Sequence, residues 1–321
     1  MKKNISVIMA NYNHSKYLND RIESFAKQIH KPLEIIIVDD KSTDESVRIL
    51  EKLKKKYKFL KILKNTKNLG ANKSINKAAR IASAKYIYPC SVDDILYRND
   101  FFYKTINFLE KYKKVDICMT YPSFYDDRYK TFKNQPWILP FKKKAFYSPD
   151  EILAKQKKSY FHIWSHSSIY RTKFIKRTLF NYGFKWHSDW YINHKSSLEN
   201  GILYIPKSFV AFRIFTNNYS ANININDQTK VVMKMMDHVL TKENAQIKNK
   251  FIESLIFSTY LSSMFKIIKL KKFKLFYTQA MLNRLKYFKY KGIILNIFPV
   301  ELKFKIKKYI YEKLLNYKTF H

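Results

Sequence analysis

The amino-acid sequence predicts an α/β fold in which a mostly parallel β-sheet is flanked by helices. Apolar, β-branched runs alternate with amphipathic segments over the first hundred residues, and the runs begin about 27 residues apart. Such alternation is typical of βαβ units, whose right-handed crossovers produce parallel strands. Only 4 Gly and 8 Pro occur in 321 residues, which excludes a collagen-like or flexible low-complexity chain.

Four strands are expected in this part of the chain. NISVIMA and LEIIIVDD are continuous apolar runs of the kind that form strands buried on both faces. KYIYPCS has the same character, and a shorter apolar run lies before it. The four predicted strands cover residues 4–10, 33–40, 59–63 and 85–91.

Three helices are expected between these strands. Ser15 is the predicted N-cap of a helix over 16–28, and Ser42 or Thr43 that of a helix ending near Lys56. Gly70 is expected to open the third helix, which ends near residue 82.

Beyond residue 100 the pattern is less regular. Asp100 is expected to cap a helix that ends near Lys113, and residues 115–125 are expected to form another strand. The sequence from about residue 228 is helical in character and strongly basic. We therefore predict one domain over 1–225, with halves 1–100 and 101–225, and a basic helical region over 226–321.

The charge of the chain is strongly positive. It carries 62 Lys and Arg against 25 Asp and Glu, a formal net charge of +37. Such a surface attracts polyanions, and nucleic acid, an anionic membrane face and a phosphorylated substrate all fit it. A coding bias toward Lys, Ile, Asn, Phe and Tyr is an alternative source of the lysines.

The cysteine content and the apolar runs bear on the location of the protein. Two cysteines are too few for a disulfide framework or a zinc site, which favours a reducing compartment. The longest apolar stretch, residues 251–265, is shorter than the roughly twenty residues that span a bilayer. We expect a cytoplasmic protein without a transmembrane helix.

Polar residues follow each predicted strand, at the edge where parallel sheets bind their ligands. Two pairs of adjacent carboxylates at one edge repel each other unless a cation or a hydrogen-bonding ligand compensates. Carboxylates suit Mg²⁺ or Mn²⁺ that bridges phosphate oxygens, although Asp is also common in turns and caps. These residues are Asn11 to Asn13, Asp39 and Asp40, Asn65 to Gly70, and Ser91, Asp93 and Asp94.

Three motifs occur together in this part of the chain: SVIMANYN, VDDKSTD and NLGANKSINKAARIASAKYIYPCSVDDIL. In order and spacing they resemble the family 2 inverting glycosyltransferases, which have the GT-A fold. The resemblance is strong over residues 4–100 and continues more loosely to about 220. It implies transfer of a sugar from a nucleotide-diphosphate donor, with Mg²⁺ or Mn²⁺, to a saccharide or lipid-linked acceptor in bacterial surface-glycan synthesis.

The resemblance also implies roles for particular residues. It assigns the metal to Asp93 and Asp94, and the catalytic base to Asp189 in the segment HSDWYINHK. It places His166 and Ser167, with less support, in the donor and acceptor pocket. Contacts with the donor are implied for Ala10, Asn11, Tyr12, Asp39, Asp40, Asn68, Gly70, Lys73, Ser91, Asp94 and Arg213.

The sequence departs from the family pattern at four positions. Ser91 replaces the first acid of the D-x-D-D metal motif, which makes Asp93 the expected primary ligand. Lys41 replaces a turn glycine, and His187 stands where Glu is usual. Phe215 replaces the His two residues after Arg213, so Arg213 is expected either to contact phosphate or to form a structural ion pair.

Other functional hypotheses are consistent with the sequence. The chain could be a polyanion-binding protein with a structural acidic edge, or a nucleotidyltransferase on a similar sheet. Asp126 and Asp127 are expected to be structural, and His162, His187 and His194 lack a metal-binding spacing. The basic C-terminal helices fit an anionic membrane surface, which would make the protein peripheral on the inner membrane face, or simple packing on the domain. Nucleic acid is not an expected partner.

Overall fold

The computed structural model describes residues 4–133, 139–214, 223–254, 256–260 and 263. Within these residues, eight strands form a main sheet in the order β3-β2-β1-β4-β10-β6-β11-β9. They are β1 Ile5–Asn11, β2 Glu34–Asp39, β3 Leu60–Lys64, β4 Tyr86–Pro89, β6 Ile117–Thr120, β9 Ala145–Tyr147, β10 Ser168–Arg171 and β11 Ile202–Ile205. Strands β1 to β4 are parallel to one another, and β10 joins β4 to β6 by antiparallel pairing with both.

A second, smaller sheet has the order β5-β12-β7-β8. Its strands are β5 Ile95–Leu96, β7 Ser123–Asp126, β8 Thr131–Lys133 and β12 Val210–Ile214. The described helices are α1 Ser15–Ala26, α2 Ser46–Lys56, α3 Ala71–Ile81, α4 Phe101–Lys111, α5 Pro149–Lys158, α6 Thr172–Thr178, α7 Ser188–Asn200, α8 Ile225–Lys242 and α9 Ala245–Glu253. The predicted α/β class, with its parallel first half flanked by helices, is confirmed.

Each face of the main sheet is covered by its own apolar core. Successive side chains of a strand point to opposite faces. Val7 and Ile35 accordingly lie in one buried cluster, and Ile8 and Ile36 lie in the other. The continuous apolar runs of the sequence arise because both faces of these strands are buried.

The predicted caps of the first two helices are wrong. Ser15 is the first residue of α1 rather than its cap, and α2 begins at Ser46, beyond Ser42 and Thr43. The carboxylate of Asp44 accepts hydrogen bonds from the backbone N–H groups of Ser15 and Ser46, both at 3.0 Å. One side chain in the β2–α2 loop thus serves both helix starts.

The prediction of a single strand over residues 115–125 is also wrong. The structure divides it into β6 in the main sheet and β7 in the second sheet. Pro122 lies between them and has no N–H to donate to a strand neighbour, so the ladder cannot continue through it. Asp100 does precede α4 as expected, but its carboxylate contacts Arg98 and Lys104 instead of capping the helix.

The first two C-terminal helices pack on the rest of the molecule. Val232 and Met235 of α8 and Phe251 of α9 are buried in the same cluster as Trp190 of α7. Of the predicted basic helical region, the structure shows the helices α8 and α9, while the prediction for 264–321 lies outside the described residues. The division of the chain near residue 225 stays a prediction.

Glu34, at the start of β2, is a buried acid with a complete set of partners. Its side chain is 2% exposed and contacts Lys61 Nζ at 2.7 Å. It also accepts hydrogen bonds from Ser6 Oγ at 2.6 Å and from Ser83 N at 2.7 Å. Burial alone raises the pKa of Glu34, but these donors outweigh it and lower the pKa to about 2.

We expect Glu34→Gln to destabilise the protein by up to about 3 kcal/mol at neutral pH, because each pKa unit corresponds to about 1.4 kcal/mol. An acid with a lowered pKa stabilises the fold above its unfolded pKa of 4.5, and this contribution is lost as the pH falls toward 2. Urea unfolding of wild type and variant across that range measures the difference. A constant difference at all pH values would contradict the assignment, and Asp20→Asn, which changes an exposed acid of α1, serves as control.

Candidate functional site

The carboxyl ends of three neighbouring strands bring many of the predicted polar residues to one edge of the main sheet. β1 lies between β2 and β4 and is parallel to both. Asn11 pairs in register with Asp39, and Ser91 to Asp94 follow shortly after the end of β4. We call this edge, formed by Asn11, Asp39, Asp40 and Ser91–Asp94, the rim.

Asp39 is held in place by hydrogen bonds within the rim. Its side chain accepts from Asn11 Nδ2 at 2.9 Å, Ser42 Oγ at 2.6 Å and Ser42 N at 3.0 Å. Four lone-pair positions are available on a carboxylate, so one further donor can be accepted. The neighbouring Asn11 Oδ1 is a buried acceptor without a hydrogen-bond partner in the described part of the chain. This pair can receive N–H or O–H groups of a ligand.

Asp40 has a different set of contacts. Its carboxylate accepts from Asn65 Nδ2, Leu69 N and Gly70 N, each at 2.8 Å. These bonds tie the turn before α3 to the end of β2. Asp40 accepts as many hydrogen bonds as Asp39, but its donors hold the turn before α3, which gives it a structural function. Asp39 instead lies beside the Asn11 Oδ1 that has no partner among the described residues, which favours Asp39 as the carboxylate that meets a ligand.

The turn before α3 and the first turn of that helix carry three of the predicted donor-binding residues. Gly70 has φ +86° with no heavy atom within 4 Å of an added Cβ, so its backbone conformation rather than a close approach favours glycine. Asn68 is exposed and accepts from Gly70 N at 3.1 Å. Lys73 is also exposed, and its ammonium lies 5.1 Å from the centroid of the Tyr182 ring.

Lys41 keeps the left-handed backbone conformation that a glycine would adopt at this turn. Its φ is +69°, which costs a non-glycine residue about 1 kcal/mol. The adjacent Asn13 also has a positive φ, 55°, and its Oδ1 accepts from Thr43 N at 2.8 Å. The substitution at Lys41 therefore leaves the turn geometry intact at the expense of local strain.

Asp93 and Asp94 lie together at the rim but in different surroundings. Asp94 is 5% exposed, and its Oδ1 lacks a hydrogen-bond partner among the described residues. Asp93 is partly exposed, while Ser91 is exposed and its N–H lies 3.4 Å from Asp94 Oδ2. Burial, and then the charge of Asp93, raise the pKa of Asp94 to about 7. The negative charge of the pair is thus only partly neutralised by its surroundings, which makes the pair suited to binding a cation.

Arg21 on α1 is a charged residue near this pair that was not predicted from the sequence. Its side chain is 2% exposed, and its guanidinium lies 4.7 Å from the centroid of the Phe25 ring. None of its nitrogens makes a hydrogen bond of ordinary geometry in the described residues. Its positive charge lowers the pKa of Asp94, against the larger effects of burial and Asp93. The sequence signal that could have identified Arg21 is its position among Leu18, Ile22 and Phe25 on the apolar face of α1.

Arg213 joins the second sheet to the rim. Its Nε donates to the backbone oxygen of Asp93 at 2.9 Å, and its Nη1 pairs with Asp127. The guanidinium also lies over the rings of Tyr17 and Tyr125, 4.8 and 5.2 Å from their centroids. Of the two expected roles, the structural ion pair is present. Phe215 lies outside the described residues.

The second adjacent pair of acids is structural, as expected. Asp126 is 1% exposed on its side chain and pairs with Arg128 at 2.9 Å and Lys133 at 2.7 Å. Asp127 is the partner of Arg213. Both acids therefore stabilise the second sheet.

Asp189, the predicted base, lies in the first turn of α7. One carboxylate oxygen accepts from Ser165 Oγ and the other from Trp190 N, the latter at 2.8 Å. Burial raises the pKa of Asp189, although these two donors oppose the increase. A carboxylate with a raised pKa binds a proton more readily, which suits a general base.

A chain of contacts connects Asp189 to the rim. Ser165 precedes His166, whose ring centroid lies 5.8 Å from that of Phe212 in β12. Phe212 precedes Arg213, which reaches Asp93. His166 and Ser167 are themselves buried, and the backbone oxygen of His166 accepts from Tyr88 Oη at 2.7 Å. Their side chains are thus part of the interior and not of an open surface.

The remaining predicted residues differ in exposure. Ala10 is partly buried near the end of β1, and Tyr12 is 46% exposed. His162, His187 and His194 do not come together as ligands, since within the described ranges no group of three or more His, Cys, Asp or Glu is placed to hold a metal ion. Any metal here would be held by Asp93 and Asp94, with phosphate and water oxygens completing its shell.

Comparison with known proteins gives one matching family model, described as glycosyl transferase family 2, over residues 6–179. An uncharacterised glycosyltransferase of Methanocaldococcus jannaschii is 30% identical over 179 residues, or 54% of this chain and 57% of the relative. This chain thus spans little more than half of that protein. One from Haemophilus influenzae is 24% identical over 294 residues, covering 80% of this chain and 86% of the relative.

Solved structures show the same fold. TarS residues 1–349 of S. aureus, in complex with UDP-GlcNAc, matches 87% of this chain and 79% of its own with a TM-score of 0.61 at 20% identity. The mannosyltransferase PcManGT of Pyrobaculum calidifontis, in complex with GDP-Man and Mn²⁺, matches 88% of this chain and 85% of its own with a TM-score of 0.52 at 12% identity.

Proposed function

The chain belongs to glycosyl transferase family 2, and on that basis we propose that it moves a sugar from a nucleoside-diphosphate donor to a saccharide or lipid-linked acceptor with inversion at the anomeric carbon. The observation that carries the proposal is the placement of Asp39 and Asp93–Asp94 on one rim, connected through Arg213 and Phe212 to the segment that holds Asp189.

The donor's nucleoside is proposed to bind at Asp39. The free acceptor capacity of this carboxylate and the unpaired Asn11 Oδ1 suit the imide and hydroxyl donors of a nucleoside. Asn11 also fixes the orientation of Asp39, which limits the entropy lost on binding. The turn at Asn68 and Gly70, with Lys73 beyond it, lies beside this position and is proposed to border the donor.

Asp93 and Asp94 are proposed to hold Mg²⁺ or Mn²⁺ together with the diphosphate. The residues fit such an ion, because Asp94 has a buried oxygen to which no described residue donates a hydrogen bond, and Asp93 adds a second hard oxygen ligand. A bound divalent cation stabilises the negative charge that develops on a departing diphosphate. Arg213 orients this segment through the backbone of Asp93.

Asp189 is proposed to act as the catalytic base. As the acceptor oxygen forms its bond to the anomeric carbon, the carboxylate takes the hydroxyl proton, and the bond from that carbon to the diphosphate oxygen breaks. A single displacement of this kind inverts the configuration. Ser165 and Trp190 N hold the carboxylate in one orientation for this transfer.

The proposed setting is glycan assembly at the inner face of a bacterial membrane, with residues 1–225 as the catalytic domain. The net charge of +37 suits an anionic membrane surface. No helix in the described part of the chain is both long and apolar enough to cross a bilayer.

A donor screen tests the function. Purified protein is incubated with nucleoside-diphosphate sugars, with and without Mn²⁺, and released nucleoside diphosphate is measured. We expect metal-dependent hydrolysis of one donor, which EDTA abolishes, and inversion once an acceptor is supplied. Release of pyrophosphate from a nucleoside triphosphate instead would indicate a nucleotidyltransferase.

A further inference from the structure

A hairpin beside the rim exposes a cluster of aromatic rings. It is formed by β7 and β8, and β8 is the edge strand of the second sheet. Tyr129 is 67% exposed and Phe132 is 55% exposed, and the nearby Tyr97 is 43% exposed. The centroid of Phe132 lies 5.2 Å from Tyr97 and 5.1 Å from Tyr125. We call Tyr97, Tyr129 and Phe132 the aromatic cluster. Several exposed rings on and beside one hairpin indicate an interaction surface.

Cations surround the aromatic cluster. Arg128, Lys130 and Lys133 all lie on the hairpin and are exposed. Asp126 pairs with both Arg128 and Lys133, and Asp127 is engaged by Arg213, so the hairpin carries a surplus of positive charge. Exposed aromatic rings combined with Lys and Arg are the pattern of segments that bind at the surface of anionic membranes.

We propose that this hairpin docks the enzyme on an anionic phospholipid bilayer, with the aromatic cluster among the headgroups and the cations against lipid phosphates. This inference rests on the proposed function in one respect: a lipid-linked acceptor must reach the rim from the membrane. Tyr125 lies between Phe132 and the guanidinium of Arg213, so the docking surface continues directly into the rim.

The arrangement of the rings favours a lipid surface over a glycan chain. A glycan that stacks along several rings needs their faces side by side, whereas Phe132 meets Tyr97 and Tyr125 at 67° and 68°. Two cations already lie over Tyr129, 5.1 and 5.4 Å from its centroid. Tilted rings with cationic neighbours suit the irregular headgroup layer, in which no common plane is required.

Vesicle binding tests the proposal with the full-length chain. The triple variant Tyr97→Ser, Tyr129→Ser and Phe132→Ser is compared with wild type on phosphatidylcholine vesicles with and without phosphatidylglycerol, at low salt. We expect wild type to prefer the phosphatidylglycerol vesicles and the variant to bind them at least about tenfold more weakly. The matched control removes three exposed apolar residues near the amino ends of the main-sheet strands, Ile29→Ser, Leu33→Ser and Ile81→Ser, and should bind as wild type.

A local probe separates this hairpin from other basic parts of the chain. Cys90 and Cys118 are buried, so a cysteine introduced by Tyr129→Cys can be labelled selectively with an environment-sensitive fluorophore. We expect its emission to shift to the blue on phosphatidylglycerol vesicles, and a label introduced by Ile81→Cys to remain unchanged. Soluble-donor hydrolysis should be the same in the triple variant and wild type, which distinguishes failure of docking from failure of the proposed function.

Several results would overturn the proposal. One is an unshifted label at position 129 together with unchanged vesicle binding by the triple variant. Another is a triple variant that binds vesicles normally but has a higher KM for a soluble glycan acceptor. That result would identify the aromatic cluster as a glycan-binding surface instead. Vesicle binding lost in Lys113→Ser/Lys173→Ser, but kept in the triple variant, would place docking at two grooves of about 470 and 550 Å³ that share these lysines.

Discussion

Replacing Asp189 with asparagine is expected to lower kcat by about 10²–10⁴-fold, the usual contribution of a general base. The change keeps the size of the side chain and an acceptor oxygen for Ser165, so the segment around Ser165 and α7 should remain folded. Asparagine cannot take the proton of an attacking hydroxyl, and the acceptor oxygen must then attack without assistance. The rate of transfer to the acceptor is measured from the release of nucleoside diphosphate.

The pH dependence of transfer provides a second readout for Asp189. Burial raises the pKa of this carboxyl, so the ionised base is lost at a higher pH than for an exposed aspartate. With Mn²⁺ kept saturating at every pH, so that protonation of Asp94 does not limit the rate, the acid limb of kcat/KM should therefore lie above the usual aspartate range near 3.9 and should disappear in Asp189→Asn. Asp20→Asn, which changes an exposed aspartate of α1, is the control and should match wild type. An acid limb retained in Asp189→Asn would assign the base elsewhere.

The regular half of the fold is predictable from sequence because local pattern determines it. β1 and β2 are buried on both faces, so their apolar runs stand out, and the helices that follow these two strands are amphipathic. The predictions of the helix caps and of a single strand over 115–125 were wrong because residues distant in the sequence, or a change of sheet, determine the structure there. Asp44 serves the start of α1 from nearly thirty residues away, and Pro122 moves the chain from one sheet to the other. Neither effect can be read from a local window of sequence.

The rim was predictable for a related reason. Its residues follow strand ends, and parallel strands place their carboxyl ends at one edge. The sequence did not distinguish the functions of neighbouring acids. Asp39 and Asp40 are adjacent and equally buried, yet only Asp40 has its carboxylate committed to the turn at Leu69 and Gly70. The buried Arg21 was missed because only the packing of α1 brings it near Asp94.

Replacing either Asp93 or Asp94 with asparagine is expected to raise the Mn²⁺ concentration for half-maximal donor turnover at least about tenfold, and to lower turnover by about 10²-fold, because metal stabilisation of a leaving group is worth several kcal/mol. Ser91 replaces a third acid of the motif, so Asp93 and Asp94 are the two carboxylates that the segment Ser91–Asp94 offers to a metal. Mn²⁺ binding followed by electron paramagnetic resonance, in the presence of the nucleoside diphosphate, measures the same loss without turnover. Asp20→Asn should again behave as wild type.

The shared charge of the two acids makes metal binding sensitive to pH. Burial and the charge of Asp93 raise the pKa of Asp94 to about 7, so below that pH a proton competes with the cation. Mn²⁺ affinity in wild type should therefore increase as the pH rises through about 7. In Asp93→Asn the repulsion is absent, and the midpoint should move to lower pH even though the affinity is weaker. Identical midpoints in wild type and Asp93→Asn would show that the charge of Asp93 does not raise the pKa of Asp94.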